Sequence, residues 1–191
     1  MTLKLNIIIG TTRPGRASPA IGQWLKAFAE KHGKFQVELV DLADFNLPLL
    51  DEASHPVLQK YEHEHTKRWS ASVASADAYV FLTAEYTYFP PAALINGLQV
   101  LSREWNYKPA GVVSYGGISG GLRAAQELRL MIANLNMHAL PQTVPVPQFG
   151  QFVNDEGLFI PSEPIETGAS SLLDELYKWA VALKPMRGEA A

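Results

Sequence analysis

The chain has 191 residues, 47% of them hydrophobic and 18% charged, with a formal net charge of -3. That is ample for one sizeable core and too apolar for a disordered chain. The acidic balance and the lack of any Lys/Arg run weigh against a nucleic-acid partner, and the absence of cysteine excludes disulfides, zinc–thiolate sites and a thiol nucleophile.

Residues 3–9 are apolar at nearly every position, the pattern of a central parallel strand covered on both faces. The run stops at Gly10, so it reads as a first strand and not as a secretory signal. No segment is long and apolar enough to span a bilayer, and a cytoplasmic location is expected. Ser18 is placed as a helix cap with Pro19 at the first helical position. Ile21, Trp24, Leu25 and Phe28 then recur at helical spacing, which assigns Trp24 to the core.

Residues 35–42 form the second strand, ending near Asp41, and residues 46–52 form a proline-bearing loop. Residues 55–76 read as largely helical, with Tyr61, His65 and Trp69 four apart in a stripe. His63 and His65 are two apart with no third ligand nearby, so no metal site is expected. Residues 77–83 form the third strand, and Pro90 or Pro91 opens the next helix, which carries Leu94, Leu98 and Leu101. Residues 110–114 form a fourth strand and residues 122–135 a fourth helix. A short fifth edge strand is expected at 144–146, where prolines limit pairing. Residues 148–166 read as loop with a hairpin tip, and Thr167 or Ser170 starts a final helix bearing Leu172, Leu173, Leu176, Trp179 and Leu183. Residues 186–191 read as a frayed tail. With no repeat and no linker, residues 1–191 are read as one domain.

Strands alternate with helices, which predicts an open parallel α/β sheet with helices on both faces and a ligand site beyond the C-terminal strand ends. Three unusual loops fall at that end. Residues 10–18 carry two glycines, Thr11, Thr12, Arg13, Arg16 and Ser18, a set of hydroxyls and planar cations suited to a phosphate at a helix N-terminus. Residues 84–91 offer Glu85, Tyr86, Thr87, Tyr88 and Phe89. The third loop, Tyr115, Gly116, Gly117, Ile118, Ser119, Gly120 and Gly121, lets a ligand approach the backbone closely. A flat heterocycle with a phosphate suits this mixture.

With these residues in view, the chain resembles the NADPH-dependent FMN reductase family of flavodoxin-like proteins, which includes quinone, azo-dye and chromate reductases. Residues 10–16 resemble the family's G-S-x-R-P-G-R loop, with Thr11 in place of its serine. Residues 84–97 resemble P-E-Y-N-x-S-x-P-x-x-L-K-N-A, and residues 114–124 match S-Y-G-G-x-x-G-G-x-R-A without a gap. Thr87, Phe89 and Ile95 depart from the usual Asn, Ser and Lys.

The resemblance implies a flavodoxin-like, doubly wound five-stranded sheet of strand order 2-1-3-4-5. It implies noncovalent FMN, with hydride passing from NADPH or NADH to the flavin and on to a quinone, free flavin or similar small acceptor. The phosphate would lie at Thr11, Thr12, Arg13, Arg16 and Ser18. The ring would lie between Glu85, Tyr86 and Thr87 on one side and Tyr115, Gly116, Gly117 and Ile118 on the other. The flavin carries the chemistry, so no catalytic side chain is assigned. A flavodoxin-type electron carrier and a homologue that has lost FMN stand as alternatives, the latter prompted by Phe89. The resemblance also implies a homodimer or a pair of dimers, and the 61/65/69 stripe together with Leu94, Leu98, Leu101 and Trp105 of residues 90–105 is the expected contact.

Overall fold

Apolar side chains at successive positions of a strand point to opposite faces and need cover on both. The computed structural model, which describes residues 2–188, shows how the chain supplies it. Strands β1 (Leu3–Ile9), β2 (Phe35–Asp41), β3 (Ala78–Ala84), β4 (Pro109–Tyr115) and β5 (His138–Val146) form one parallel sheet in the order β2-β1-β3-β4-β5. The two strands buried at every position, β3 and β4, are interior, and the more exposed β2 and β5 form the edges.

Helices α1 (Ser18–His32) and α5 (Glu163–Leu183) cover one face, packing Ile21, Leu25, Leu172 and Leu176 against Ile7 and Ile9. Helices α2 (Glu64–Ala74), α3 (Ala92–Gln99) and α4 (Leu122–Asn134) cover the other, packing Trp69, Leu94 and Leu128 around Ile8 and Phe81. The chain leaves β1 toward β2 on one side and re-enters at β3 on the other. The winding therefore reverses between β1 and β3, which opens a crevice at their C-terminal ends. The expected fold and strand order are both present.

Local departures have identifiable causes. The α1 cap is Ala17, not Ser18; Ser18 is the first helical residue and its hydroxyl faces Thr11 instead. The expected helix at 55–76 breaks in two. A short turn at Pro56–Leu58 is stopped by Gln59 at φ 53°, and Glu52 caps a new start by accepting the amides of Glu62 and His63. Tyr61 thus precedes α2, and the 61/65/69 stripe does not exist as one helix face. Tyr61 donates to Glu104 at 2.8 Å, His65 faces Asp51 at 3.1 Å, and Trp69 is buried, its indole N–H donating to Gly97 O at 2.8 Å. His63 is the cap residue of α2, and its ring stacks on that of His65 at 5.2 Å beside Asp51.

Strand β5 begins six residues before the expected 144, because an edge strand tolerates Pro141 and Pro145. Helix α5 starts at Glu163, with Ser162 at its cap and Pro164 in its first turn. The hairpin tip is present: Val153 bridges Phe159, and the Asn154 side chain accepts the amides of Glu156 and Leu158. Of the expected tail, Met186 and Arg187 belong to a short turn that brings Arg187 to Asp77; residues 189–191 lie outside the described residues.

Candidate functional site

The three loops singled out from sequence meet at the C-terminal end of the sheet, on the crevice between β1 and β3 and across to β4. The first leaves β1 at Gly10, whose amide donates to Leu82 O at 2.9 Å. A Cβ at Gly10 would fall 2.7 Å from a methyl of the buried Leu94 and 3.1 Å from Leu82 O, so a larger residue would have to displace Leu94. The first helical bond of α1 runs from the Ile21 amide to Ala17 O, so the amides ahead of it are left without an intrahelical partner. These face an anion-favouring helix N-terminus.

Around that N-terminus, Thr11 and Ser18 are buried and hydrogen-bonded to each other. Thr12 and Arg13 are exposed, and Arg13 makes no ion pair among the described residues. Arg16 is placed differently from Arg13. One of its terminal nitrogens pairs with Asp41, which also accepts the Ala43 amide at 3.0 Å. Its Nε–H is buried without an acceptor. The loop therefore presents one free guanidinium, one half-neutralised guanidinium with an unspent donor, and three hydroxyls.

The second loop is a two-residue hairpin. Tyr86 and Phe89 exchange both backbone bonds, at 2.9 and 3.0 Å, with Thr87 at φ 52° and Tyr88 at φ 71° between them. Two positive φ values are the signature of a primed turn, and a β-branched residue there is strained. The turn displays Tyr86, Tyr88 and Phe89 to solvent. Glu85 does not join them. Its carboxylate is tucked under the turn, accepting from Arg123 Nε at 2.7 Å, the Arg123 amide at 3.2 Å and Ser119 Oγ at 3.0 Å. Burial pushes the Glu85 carboxyl up, but these Arg123 and Ser119 hydrogen bonds outweigh it and hold it below the usual range. Arg123 in turn lies over the Tyr88 ring, 3.9 Å from its centre. Glu85 is thus a brace for the aromatic turn.

The third loop runs from Tyr115 into α4. Gly121, at φ 79°, sits so close to Tyr115 that a Cβ would meet its backbone at 2.8 Å. Gly117 has nothing within 4 Å of where a Cβ would stand, and Ile118 is fully displayed. Tyr115 is buried, with Phe149 packed edge-on against its ring at 5.1 Å.

Sequence reading missed a fourth contributor. The segment after β5 folds back along the glycine loop, with Gln148 N donating to Gly117 O at 2.8 Å and Phe149 N to Gly116 O at 3.3 Å. Together they line a cleft of about 440 Å³. No residue pattern flagged Gln148 to Gln151. Arg123 did have a signal, as the arginine of the third motif. A second cleft, about 360 Å³, opens between Thr12, the loop after β2 and Ala93. A larger one, about 670 Å³, lies at the opposite pole around Asp77, Lys108 and Arg187 and shares no residue with the three loops. There Lys108 donates to Val73 O and Ala74 O, at the end of α2, and to the Tyr79 hydroxyl.

An open parallel sheet in the order β2-β1-β3-β4-β5, with hydroxyls and arginines at a helix N-terminus beyond β1, an aromatic turn beyond β3 and a glycine loop beyond β4, has the flavodoxin-like doubly wound architecture, in which ligands bind at that end of the sheet. The sequence model for "NADPH-dependent FMN reductase" matches residues 3–151. The chain is 35% identical over 191 residues to an NAD(P)H-dependent FMN reductase of Schizosaccharomyces pombe, covering 99% of this chain and 89% of that one. It is 32% identical over 165 residues to the NAD(P)H-dependent FMN reductase LOT6 of Saccharomyces cerevisiae, covering 76% and 86%. Among solved structures, the flavoenzyme NAD(P)H:(acceptor) oxidoreductase FerB of Paracoccus denitrificans superposes with a TM-score of 0.73 at 18% identity, over 95% of this chain and 98% of that one. This chain belongs to the NADPH-dependent FMN reductase family. It is an FMN-dependent oxidoreductase that takes hydride from NAD(P)H and passes it to an acceptor. No helix among the described residues is long and apolar enough to cross a membrane.

Proposed function

We propose that the crevice beyond β1 and β3 holds FMN with its phosphate at the α1 N-terminus and its ring between the aromatic turn and the glycine loop. The observation that carries this is the buried Arg16 Nε–H without an acceptor, beside two buried hydroxyls and the unpaired Arg13. Buried donors are nearly always satisfied, and a dianionic phosphate ester is the acceptor this set fits. Thr11, Thr12, Arg13 and Ser18 would hold the phosphate, and Arg16 would contribute its spare donor while Asp41 anchors it.

When bound, FMN supplies the two-electron redox chemistry between NAD(P)H and a quinone, free flavin or similar small acceptor. The chain's own part is position and exclusion of water. Gly116 and Gly117 bring backbone within reach of the ring edge, and Tyr86 and the braced turn wall the opposite side. Glu85 acts through Arg123 and Tyr88 and does not touch the ring. The open side, fringed by Tyr88, Phe89 and Ile118, would receive donor and acceptor in turn. Cofactor released by heat, identified by mass, with spectra before and after NADPH, tests this reading. Stoichiometric FMN that bleaches without a second protein supports it; FAD, or a colourless protein that stays so after FMN addition, refutes it.

The homodimer expected from the resemblance belongs to this proposal, with its contact moved. Trp69, Leu94, Leu98, Leu101 and Trp105 are all core, so the contact is assigned to the outer side of α3 and α4. Leu130 is 69% exposed there, beside a groove of Leu98, Gln99, Met131, Asn134 and Leu135. Light scattering should give twice the chain mass, and Leu130→Glu should shift it toward the monomer. One domain over residues 1–191 and a cytoplasmic site of action complete the reading.

A further inference from the structure

The cleft at the opposite pole is built around a buried charge that no carboxylate neutralises. Lys108, just ahead of β4, is 6% exposed. Its ammonium donates to Val73 O at 3.1 Å, Ala74 O at 3.2 Å and the Tyr79 hydroxyl at 3.0 Å. All three acceptors are neutral. The two carbonyls bring the negative end of α2, worth only about half a charge. They occupy the ammonium's hydrogens without cancelling its charge, whereas a buried charge ordinarily has an ionic partner.

The same cleft gathers Arg103, Lys184 and Arg187, with Asp77 and Glu104 as its carboxylates. These do not balance the cations. Glu104 is buried and spends its oxygens on the Tyr61 hydroxyl at 2.8 Å, the Ser70 hydroxyl at 2.7 Å and the Ser102 amide at 3.2 Å. Asp77 takes Arg187 at 2.9 Å and Lys184 at 3.7 Å, and its other oxygen accepts the Lys4 amide at 2.8 Å. Arg187 Nη2 is close to Asp77 but not aligned to donate to it, and it is buried without an acceptor. Arg103 makes no ion pair among the described residues. In a chain of net charge -3, this concave surface therefore holds a local excess of positive charge and a buried donor left unmatched. Such a donor calls for an acceptor from outside, and the field calls for an anion.

We propose that this cleft is a second ligand site, which takes the phosphate group of a small molecule on Arg187, Arg103 and Lys184 and so supplies the counter-charge that Lys108 lacks. It lies a strand's length from the flavin crevice, about 20 Å, and does not rest on the FMN reading. Guanidiniums present paired donors to phosphate oxygens. Tyr107, 40% exposed, belongs to the same lining and offers a ring face to the base of a nucleotide; inorganic phosphate would not use it. The bound anion favours the charged ammonium, so above pH 7 binding takes up a proton: burial and then Arg187 push Lys108 down to about 7 in the empty site. Tyr79, Asp77 and Glu104 are the other titratable groups that face it.

Calorimetric titration of the FMN-saturated full chain tests this, at fixed ionic strength, with inorganic phosphate and separately with adenosine monophosphate. Saturating FMN keeps both probes out of the flavin crevice. Arg187→Gln and Arg103→Gln should each weaken binding about five- to tenfold. Equal affinities for the two probes assign the site to the phosphate group alone. A preference for adenosine monophosphate above about tenfold, removed by Tyr107→Ala, assigns it to a nucleotide. Sulfate, whose charge is constant, should bind at least about fivefold more weakly at pH 9 than at pH 6.5, and Lys108→Met should abolish that difference. Thermal melts check that the variants fold; the exposed Arg103 carries the test if Arg187→Gln does not. Wild type that binds neither probe overturns the proposal, as does affinity unchanged in both arginine variants. Sulfate binding indifferent to pH overturns the part given to Lys108. A chain that takes up no FMN would sink the flavin reading alone, because the arginine variants still locate the anion.

Discussion

Replacing Arg13 with alanine removes the guanidinium of the β1–α1 loop that no carboxylate among the described residues neutralises. Arg13 is exposed and makes no ion pair among the described residues, whereas Arg16 is held by Asp41. A hydrogen bond to a charged group contributes about 1.5–3 kcal/mol, and solvent screening at an exposed residue places Arg13 at the lower end. About 1.5 kcal/mol corresponds to roughly a tenfold rise in the FMN dissociation constant. The term is a charge interaction near the surface, so salt should erode it. Near 1 M ionic strength, where the screening length is about 3 Å, the ratio of variant to wild type should fall to about two or three. Equilibrium titration of flavin-free protein at low and high salt measures both numbers. Hydride transfer in the FMN-saturated variant should stay near the wild-type rate, because the residue lies at the phosphate end. An Arg13→Ala protein with unchanged FMN affinity at low salt, or a loss indifferent to salt, would refute the placement of the phosphate.

Asp41→Asn keeps an acceptor for the Ala43 amide while releasing the Arg16 charge; FMN should bind about two- to fivefold tighter by the same titration. Thr87→Asn relieves a β-branched residue at φ 52° and should stabilise the protein by about 1 kcal/mol, raising Tm by about 2–4 °C in a thermal melt. Glu85→Ala leaves Arg123 and Ser119 without their acceptor and should cost about 1–3 kcal/mol in urea unfolding at pH 7. Because the Glu85 carboxyl titrates below its unfolded value of 4.5, its contribution is present above that pH and is lost as pH falls through the folded value; the wild-type and variant curves should converge in acid. At the opposite pole, burial first, then the Arg187 charge, pushes Lys108 down to about 7 from 10.5. Between those values the unfolded chain binds more protons than the folded one, so urea stability should rise from pH 7 to about pH 9.5, and Lys108→Met should flatten that rise.

The sheet was legible because its evidence is local and redundant. Residues 3–9, 77–83 and 110–114 are so apolar that only buried parallel strands accommodate them, and the glycine-rich loops lie just beyond strand ends. The site's location followed from the topology. Other features depend on contacts distant in sequence. The break before α2 comes from Glu52 capping the amides of residues 62 and 63, and no helical periodicity encodes a cap offered from ten residues away. Glu85 reads as a ligand-facing carboxylate until Arg123, thirty-eight positions on, claims it. Phe149, packed edge-on against Tyr115 from beyond β5, lies in a segment that no motif marks.

The four tryptophans are distributed so that the protein carries its own optical labels. Trp69 and Trp105 are sealed together on the α2/α3/α4 face, their rings 5.9 Å apart. Trp24 packs on the other face, in contact with Phe159 of the hairpin beside the start of α1. Trp179 is 37% exposed and stacks on His138 at 3.7 Å. An aqueous quencher such as iodide therefore reaches Trp179 while the sealed pair stays bright. Emission from the pair reports on one layer of the sandwich and emission from Trp24 on the other. Single-tryptophan variants would show whether the two layers of helix melt in one step or in sequence, and whether a flavin settling at the α1 N-terminus is felt first by the indole nearest to it.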